Sequence, residues 1–217
     1  MSIKTNLKRI NTVINRCAAG REVCLIAVSK ARSSKQVEQA ITAGQKHFGE
    51  NYVQEAVAKI QALGAYSDLV WHFIGPIQSN KTALIAKHFD WVHSVDRLKI
   101  AKRLNDQRDV KKHGVLNVCI QVNIDNEPSK SGIAIDELDT LAAAFNQFEN
   151  LSLKGLMCIP KITSNDAFSR MSALQEYYQL SELSMGMSDD VESAIKNGAT
   201  MVRIGRAIFA QPTPSTV

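Results

Sequence analysis

Lys30 follows directly on the apolar run Leu25 to Val28, with only Ser29 between them, and a helical pattern opens at Ser34. A lysine at the carboxyl end of a strand that reads as core is placed for one of two chemistries. It can pair with a buried carboxylate, or its amine can condense with a carbonyl ligand as a Schiff base. An ordinary lysine has only about 0.04% neutral amine at pH 7, so burial and nearby cations would be needed to raise the nucleophilic fraction. No acidic residue lies between Val23 and Lys35, so a carboxylate partner would come from elsewhere in the fold, for example Glu50. From these residues alone both readings stand.

Two short loops near the end of the chain suggest a second kind of chemistry. Met185-Gly186-Met187-Ser188 leads into a helical pattern near Asp189, and Arg203-Ile204-Gly205-Arg206 leads into Ala207 to Ala210. Glycine lets a backbone approach an anion closely, and the free N–H groups of a helix start point at it. The pair reads as a phosphate site or as two ordinary turns. A lysine and a phosphate site on one rim suggest pyridoxal 5′-phosphate (PLP). Arg203 then matters, because a guanidinium only donates hydrogen bonds. Facing a pyridine nitrogen, it would leave the ring unprotonated and a weak electron sink. Its other reading is an ion pair at the rim.

The elements that must position these residues alternate. Strand-like runs occur at 22–29, 46–48, 69–74, 91–94, 116–124, 153–158, 182–185 and 201–204. Helical patterns lie between them at 34–43, 52–63, 80–87, 98–111, 134–145, 166–179 and 189–197. Ser79 or Asn80, Asp96 and Ser188 read as N-caps, and Gly44, Gly64, Gly114 and Gly198 stand near helix ends. This alternation predicts parallel pairing and an α/β fold, a (β/α)8 TIM barrel, with an open doubly wound sheet as the other possibility. No G-x-G-x-x-G follows the first run, which counts against the open sheet. The pattern in the first residues predicts an extra N-terminal helix that caps or flanks the barrel bottom. Chemistry in a barrel belongs at the carboxyl ends of the strands. Those ends here carry Lys30, Glu50-Asn51, Gly75, Ser129-Lys130-Ser131-Gly132, Gly186 to Ser188 and Gly205-Arg206.

The 217 residues, 45% hydrophobic and 22% charged, fit a globular chain read as one domain over 1–217. A net charge of +5 raises the question of nucleic acid, but the basic residues are dispersed and no aromatics interleave with them. A solvated surface and a small anionic ligand are expected instead. No run approaches the ~20 apolar residues of a membrane span, and no signal-peptide core opens the chain. The four cysteines, Cys17, Cys24, Cys119 and Cys158, form no CxxC pair and read as reduced thiols, so a cytoplasmic protein is expected.

Several longer runs carry a family resemblance. They are Ala27-Val28-Ser29-Lys30, His47 through Glu55, Trp71 through Gly75 with Gln78-Ser79-Asn80-Lys81, Ser129 through Gly132, Gly155-Leu156-Met157, Leu183 through Ser188, and Val202-Arg203-Ile204-Gly205. The chain resembles the pyridoxal phosphate homeostasis protein family over nearly its whole length. The resemblance implies a barrel like the N-terminal domain of alanine racemase, with PLP as an aldimine on Lys30 and Arg203 facing the pyridine nitrogen. It implies that Ser184, Ser188, Gly205 and the amide of Arg206 hold the phosphate, that Asn51 lies near the ring, and that Lys130 is a second lysine used in cofactor transfer. It also implies a role in vitamin B6 and amino/keto-acid balance without turnover, with apo-enzymes as possible recipients; we expect a monomer.

Two departures from the family pattern stand out. Arg206 replaces the usual threonine, which removes a hydroxyl donor and leaves the backbone N–H; its guanidinium can bind the phosphate or turn outward. The segment from Phe168 to Leu183 is shorter than usual, so a trimmed helix is expected before the seventh strand. The alternative function is a PLP-dependent amino-acid racemase, which needs a second base on the far side of the substrate carbon. Eight residues follow Phe209, read as a tail from Ala210 to Val217 with no second domain. Tyr52, Tyr66, Tyr177 and Tyr178 all lie in or beside helical patterns and are expected to pack.

Overall fold

The eight apolar runs become eight parallel strands in a computed structural model that describes residues 2–210. The strands are β1 (Cys24–Val28), β2 (His47–Glu50), β3 (Val70–Phe73), β4 (Trp91–Val95), β5 (Leu116–Gln121), β6 (Leu151–Met157), β7 (Glu182–Ser184) and β8 (Met201–Ile204). Each pairs with the next, and β8 pairs back onto β1, which closes the barrel. Closure explains the apolar runs. Leu25, Ile26 and Ala27, and likewise Val118, Cys119 and Ile120, are buried in succession, as strands covered on both faces must be. The open-sheet alternative is thereby excluded.

The helices are α1 (Ile3–Ala18), α2 (Ser34–Thr42), α3 (Val53–Ala62), α4 (Thr82–His88), α5 (Leu98–Gln107), α6 (Val110–His113), α7 (Leu138–Ala144), α8 (Ala167–Tyr177), α9 (Val191–Lys196) and α10 (Arg206–Phe209). The first buries Leu7, Ile10, Ile14 and Ala18, a helical spacing that puts them on one face, each larger side chain contributing about 1.5–3 kcal/mol. It packs against α2, α9 and α10, so it flanks the barrel beside β8 and β1. Asn6 ties it down by donating to the Ile208 carbonyl at 2.9 Å.

The helix expected over 98–111 breaks in two at Arg108. Its backbone there is extended, and its buried guanidinium donates to the carbonyls of Ala86, Phe89, His113 and Gly114. Gathering these carbonyls, which otherwise lack partners at helix ends, outweighs continuing one helix. Three expected caps also shift. Ser79 opens a 3₁₀ turn ahead of α4, Arg97 takes the cap position of α5 while pairing with Asp96, and α9 starts only after Asp190. Asp190 accepts the Met187 N–H at 2.6 Å, which gives the reason: the loop after β7 is held by the carboxylate, not by Ser188. Eleven residues remain in α8. The cysteines are all free, two buried and two half-buried. Burial raises the Cys24 and Cys158 thiols to about 12, so they are inert packing groups. Of the tail expected over 210–217, residues 211–217 lie outside the described residues. Among the described residues no helix is long and apolar enough to cross a membrane.

Candidate functional site

The carboxyl end of β1 makes a tight turn. Arg32 N–H returns to the Ser29 carbonyl at 3.1 Å, and Ala31 takes φ +56°, the position of a type II turn where glycine is usual. A Cβ in that region costs about 1–2 kcal/mol, so surrounding bonds must hold it. They do. Glu55 accepts the Ala31 N–H at 2.6 Å, and the Ser29 hydroxyl donates to Glu50 at 2.6 Å. The Lys59 ammonium reaches the Ser29 carbonyl (2.6 Å), Glu50 (2.7 Å) and Glu55 (2.6 Å). The candidate partner of Lys30, Glu50, is therefore taken by Lys59, and the ion-pair reading of Lys30 is corrected. Lys30 itself is exposed, not desolvated, and among the described residues it makes no ion pair. The turn presents its amine to solvent at the barrel mouth. Burial raises the Glu50 carboxyl above its ordinary range, against the opposing pull of Lys59 and Ser29.

Inside the barrel, Arg203 on β8 is buried with no carboxylate partner among the described residues. Its guanidinium donates to the Ser184 hydroxyl at 2.7 Å and to the Cys158 carbonyl at 2.8 Å. The rim ion pair considered for it does not form, and burial lowers its pKa from the ordinary value. Ser184 is wholly buried and also meets His93 Nδ1 at 2.8 Å. Its hydroxyl belongs to the barrel interior and not to the loop surface that the phosphate role would use.

The rim around these groups is shaped by close backbone approaches. At Gly205 a Cβ would lie 3.1 Å from the Val28 carbonyl, so the loop after β8 lies against the end of β1. Gly186 has φ +95°, and a Cβ there would lie 2.6 Å from that of Ala194. Neither Arg206 N–H nor Ala207 N–H, in the first turn of α10, has an acceptor among the described residues. The Ser188 hydroxyl is half-buried and likewise makes no bond there. The Arg206 side chain turns outward and meets Asp189 at 3.3 Å, both more than four-fifths exposed. Of its two expected placements, the outward one is realised. After β2, Asn51 keeps a buried Oδ1 without a partner, and a Cβ on Gly75 would lie 2.3 Å from the Asn51 carbonyl oxygen.

Barrel order puts the ends of β7, β8, β1 and β2 side by side. Ser188, Gly205, Arg206, Lys30 and Asn51 thus share one arc of rim, with Arg203 and Ser184 beneath it. Lys130 belongs to a different sector, where its ammonium staples the loop after β5 to the Ile159 and Pro160 carbonyls. Four residues have no role in the sequence analysis. Lys59 looks like any helical lysine. His47, His72 and His93 come from three different strands, and only their inward parity along each strand could have found them.

The closed parallel barrel is of the class of the alanine racemase N-terminal domain, whose family model matches residues 2–212. Within that class the chain belongs to the pyridoxal phosphate homeostasis protein family. It is 49% identical to the pyridoxal phosphate homeostasis protein of Escherichia coli (strain K12) over 215 residues, covering 93% of this chain and 91% of that one. Identity to the protein of the same name from Pseudomonas aeruginosa is 51% over 220 residues, covering 96% and 95%. PipY of Synechococcus elongatus PCC7942, solved with PLP bound, matches with a TM-score of 0.83 at 35% identity, over 96% of this chain and all of that one.

Proposed function

We propose that this chain holds pyridoxal 5′-phosphate at the carboxyl rim of its barrel, as a Schiff base on Lys30, and serves vitamin B6 and amino/keto-acid homeostasis as a cytoplasmic carrier without turnover of its own. The observation that carries the reading is a free lysine amine beside a run of unpaired donors. Lys30 is exposed and without an ion pair among the described residues. On the adjoining loops the N–H groups of Arg206 and Ala207 lack acceptors, and the Ser188 hydroxyl is open. These groups suit a dianionic phosphate, and the close approach at Gly205 leaves the backbone bare for it. Arg203 spends two of its N–H groups on Ser184 and Cys158. The rest of the fork is available to a ring nitrogen, which would stay unprotonated. Asn51 Oδ1 is a further unpartnered acceptor on the same arc. The bound cofactor supplies an aldehyde for the amine and a phosphate for the loops. The PLP-bound PipY structure and the names of the curated relatives support this assignment.

On this reading residues 1–217 act as one monomeric barrel domain that delivers its cofactor to apo-enzymes, with Lys130 as a way-station on the neighbouring sector. The test adds PLP to the purified protein, reduces with borohydride and maps the adduct. The adduct is expected on Lys30, and a Lys30→Ala protein carrying the same adduct elsewhere would remove the assignment. A racemase is the second reading, favoured by Tyr52. That tyrosine is not packed as expected but stands exposed on the rim beside Asn51. D/L interconversion of an amino acid by the loaded protein, abolished by Lys30→Ala, would establish it over the carrier.

A further inference from the structure

The function proposed above uses Arg203 and leaves three histidines unexplained. His47 opens β2, His72 is third in β3 and His93 is third in β4. His72 and His93 are wholly buried, and His47 is half-buried. Their ring nitrogens meet in series: His47 Nδ1 to His72 Nε2 at 3.0 Å, His72 Nδ1 to His93 Nε2 at 2.9 Å, and His93 Nδ1 to the Ser184 hydroxyl at 2.8 Å. Burial lowers the pKa of all three, His93 to about 3, so each ring is neutral and carries one proton.

Following the protons fixes the direction of every bond. A guanidinium only donates, so the Ser184 oxygen accepts from Arg203. The buried hydroxyl then has one hydrogen to place, and His93 Nδ1 is the acceptor it meets. His93 therefore carries its proton on Nε2 and donates to His72 Nδ1, and His72 does the same toward His47. His47 is left with its Nε2–H at the amino-terminal mouth, where Glu22, Glu182 and Thr200 help line a cavity of about 310 Å³. With any ring reversed, two donors would face each other or the serine hydrogen would lack an acceptor, a loss that buried groups seldom tolerate.

We propose that His93 is a positioning residue for Arg203. By accepting the Ser184 O–H it reserves the serine oxygen for Nη1 of Arg203, and its own tautomer is enforced from behind by His72 and His47. The guanidinium is thereby held in one orientation between Ser184 and the Cys158 carbonyl. The consequence for a bound pyridine ring rests on the function proposed above; the positioning itself does not.

The experiment therefore has a cofactor-free arm and a PLP arm. In the cofactor-free protein, imidazole nitrogen NMR is expected to show His47, His72 and His93 as neutral Nε2–H tautomers at pH 7. The Arg203 guanidinium should give resolved, non-averaging Nη signals. Ser184→Ala and His93→Phe should average those signals, and His93→Gln, whose amide offers one acceptor and one donor, should restore them. If His93→Phe does not fold, Ser184→Ala and His93→Gln still decide the question. An Nδ1–H tautomer at His93, or resolved Arg203 signals in Ser184→Ala, would overturn the proposal. In the second arm, PLP affinity should fall on the order of ten-fold in Ser184→Ala and in His93→Phe, and stay near the wild-type value in His93→Gln. Unchanged affinity would confine His93 to a structural role. Absence of any PLP adduct in the wild type would sink the functional reading, while the guanidinium signals would still decide the positioning.

Discussion

Lys30 and Lys59 serve the same turn in opposite ways. Lys59, on α3, is 6% exposed and spends its ammonium on three acceptors: the Ser29 carbonyl, Glu50 and Glu55. Lys30, at the apex of the turn those acceptors hold, is exposed and without an ion pair among the described residues. A fully satisfied buried ammonium is structural, because breaking it strands a carboxylate. An unpaired amine on a fixed backbone can react. The difference teaches that the ion pair, which competes for Lys30 in the sequence, is made by Lys59 instead, and the Lys30 amine is left unpaired.

The sharpest way to break the comparison is to exchange the roles. Lys30→Ala should remove the borohydride-trappable PLP adduct completely and leave the thermal unfolding midpoint within a degree or two, since an exposed side chain carries little stability. Lys59→Met should do the reverse. It should cost about 3–5 kcal/mol in urea unfolding by leaving Glu50 buried and unpaired, while the adduct still forms on whatever protein remains folded. Equal effects of the two substitutions on stability would erase the distinction.

A second test concerns the interior that separates the rim from the opposite mouth. His47, His72 and His93 have pKa values below the unfolded value near 6.5, so the native state resists protons that the unfolded chain accepts. Their contribution is present above about pH 6.5 and is lost as pH falls below it, toward about 3 in the case of His93. Each histidine should contribute up to about 1.4 kcal/mol per pH unit in that window. Glu50, Asp90 and Asp96, whose pKa values burial raises, act in the opposite sense above the ordinary carboxylate range. Urea midpoints from pH 7 to pH 5 should therefore fall, and His93→Gln should flatten the fall relative to wild type.

Smaller effects refine the turn and its rim. Ala31→Gly relieves a positive φ of 56° but loosens the unfolded chain, so a gain of no more than about 1 kcal/mol is expected in urea unfolding. Arg206→Ala removes an exposed pair with Asp189 and should change stability by less than about 0.5 kcal/mol. PLP affinity should also stay nearly constant, because the backbone N–H, and not the outward side chain, faces the proposed phosphate.

Much of this was legible in the sequence. Apolar runs alternating with helical patterns specify a parallel sheet covered on both faces, and only the missing G-x-G-x-x-G after the first run weighed for the barrel over the open sheet. Lys30, Asn51, Gly205 and Arg203 stand at or near strand ends, where the fold gathers chemistry, so their shared arc follows from strand order. What stayed hidden depended on side chains meeting across the barrel. Lys59 gains its meaning only when α3 lays it over Ser29. The histidines gain theirs only when β2, β3 and β4 turn them inward. Arg108 reads as one more helical arginine until four carbonyls converge on it. The role of Ser184 is drawn toward the interior by Arg203 and His93, partners 19 and 91 residues away along the chain.

The central claim is that Lys30 is the amine that takes the cofactor and Lys59 is not. Incubation of the wild-type protein with PLP, borohydride reduction and peptide mapping tests it directly. The account predicts one phosphopyridoxyl adduct on the peptide containing Lys30, absent from Lys30→Ala and still present in folded Lys59→Arg. A principal adduct on Lys59, or one that persists unchanged in Lys30→Ala, would contradict it.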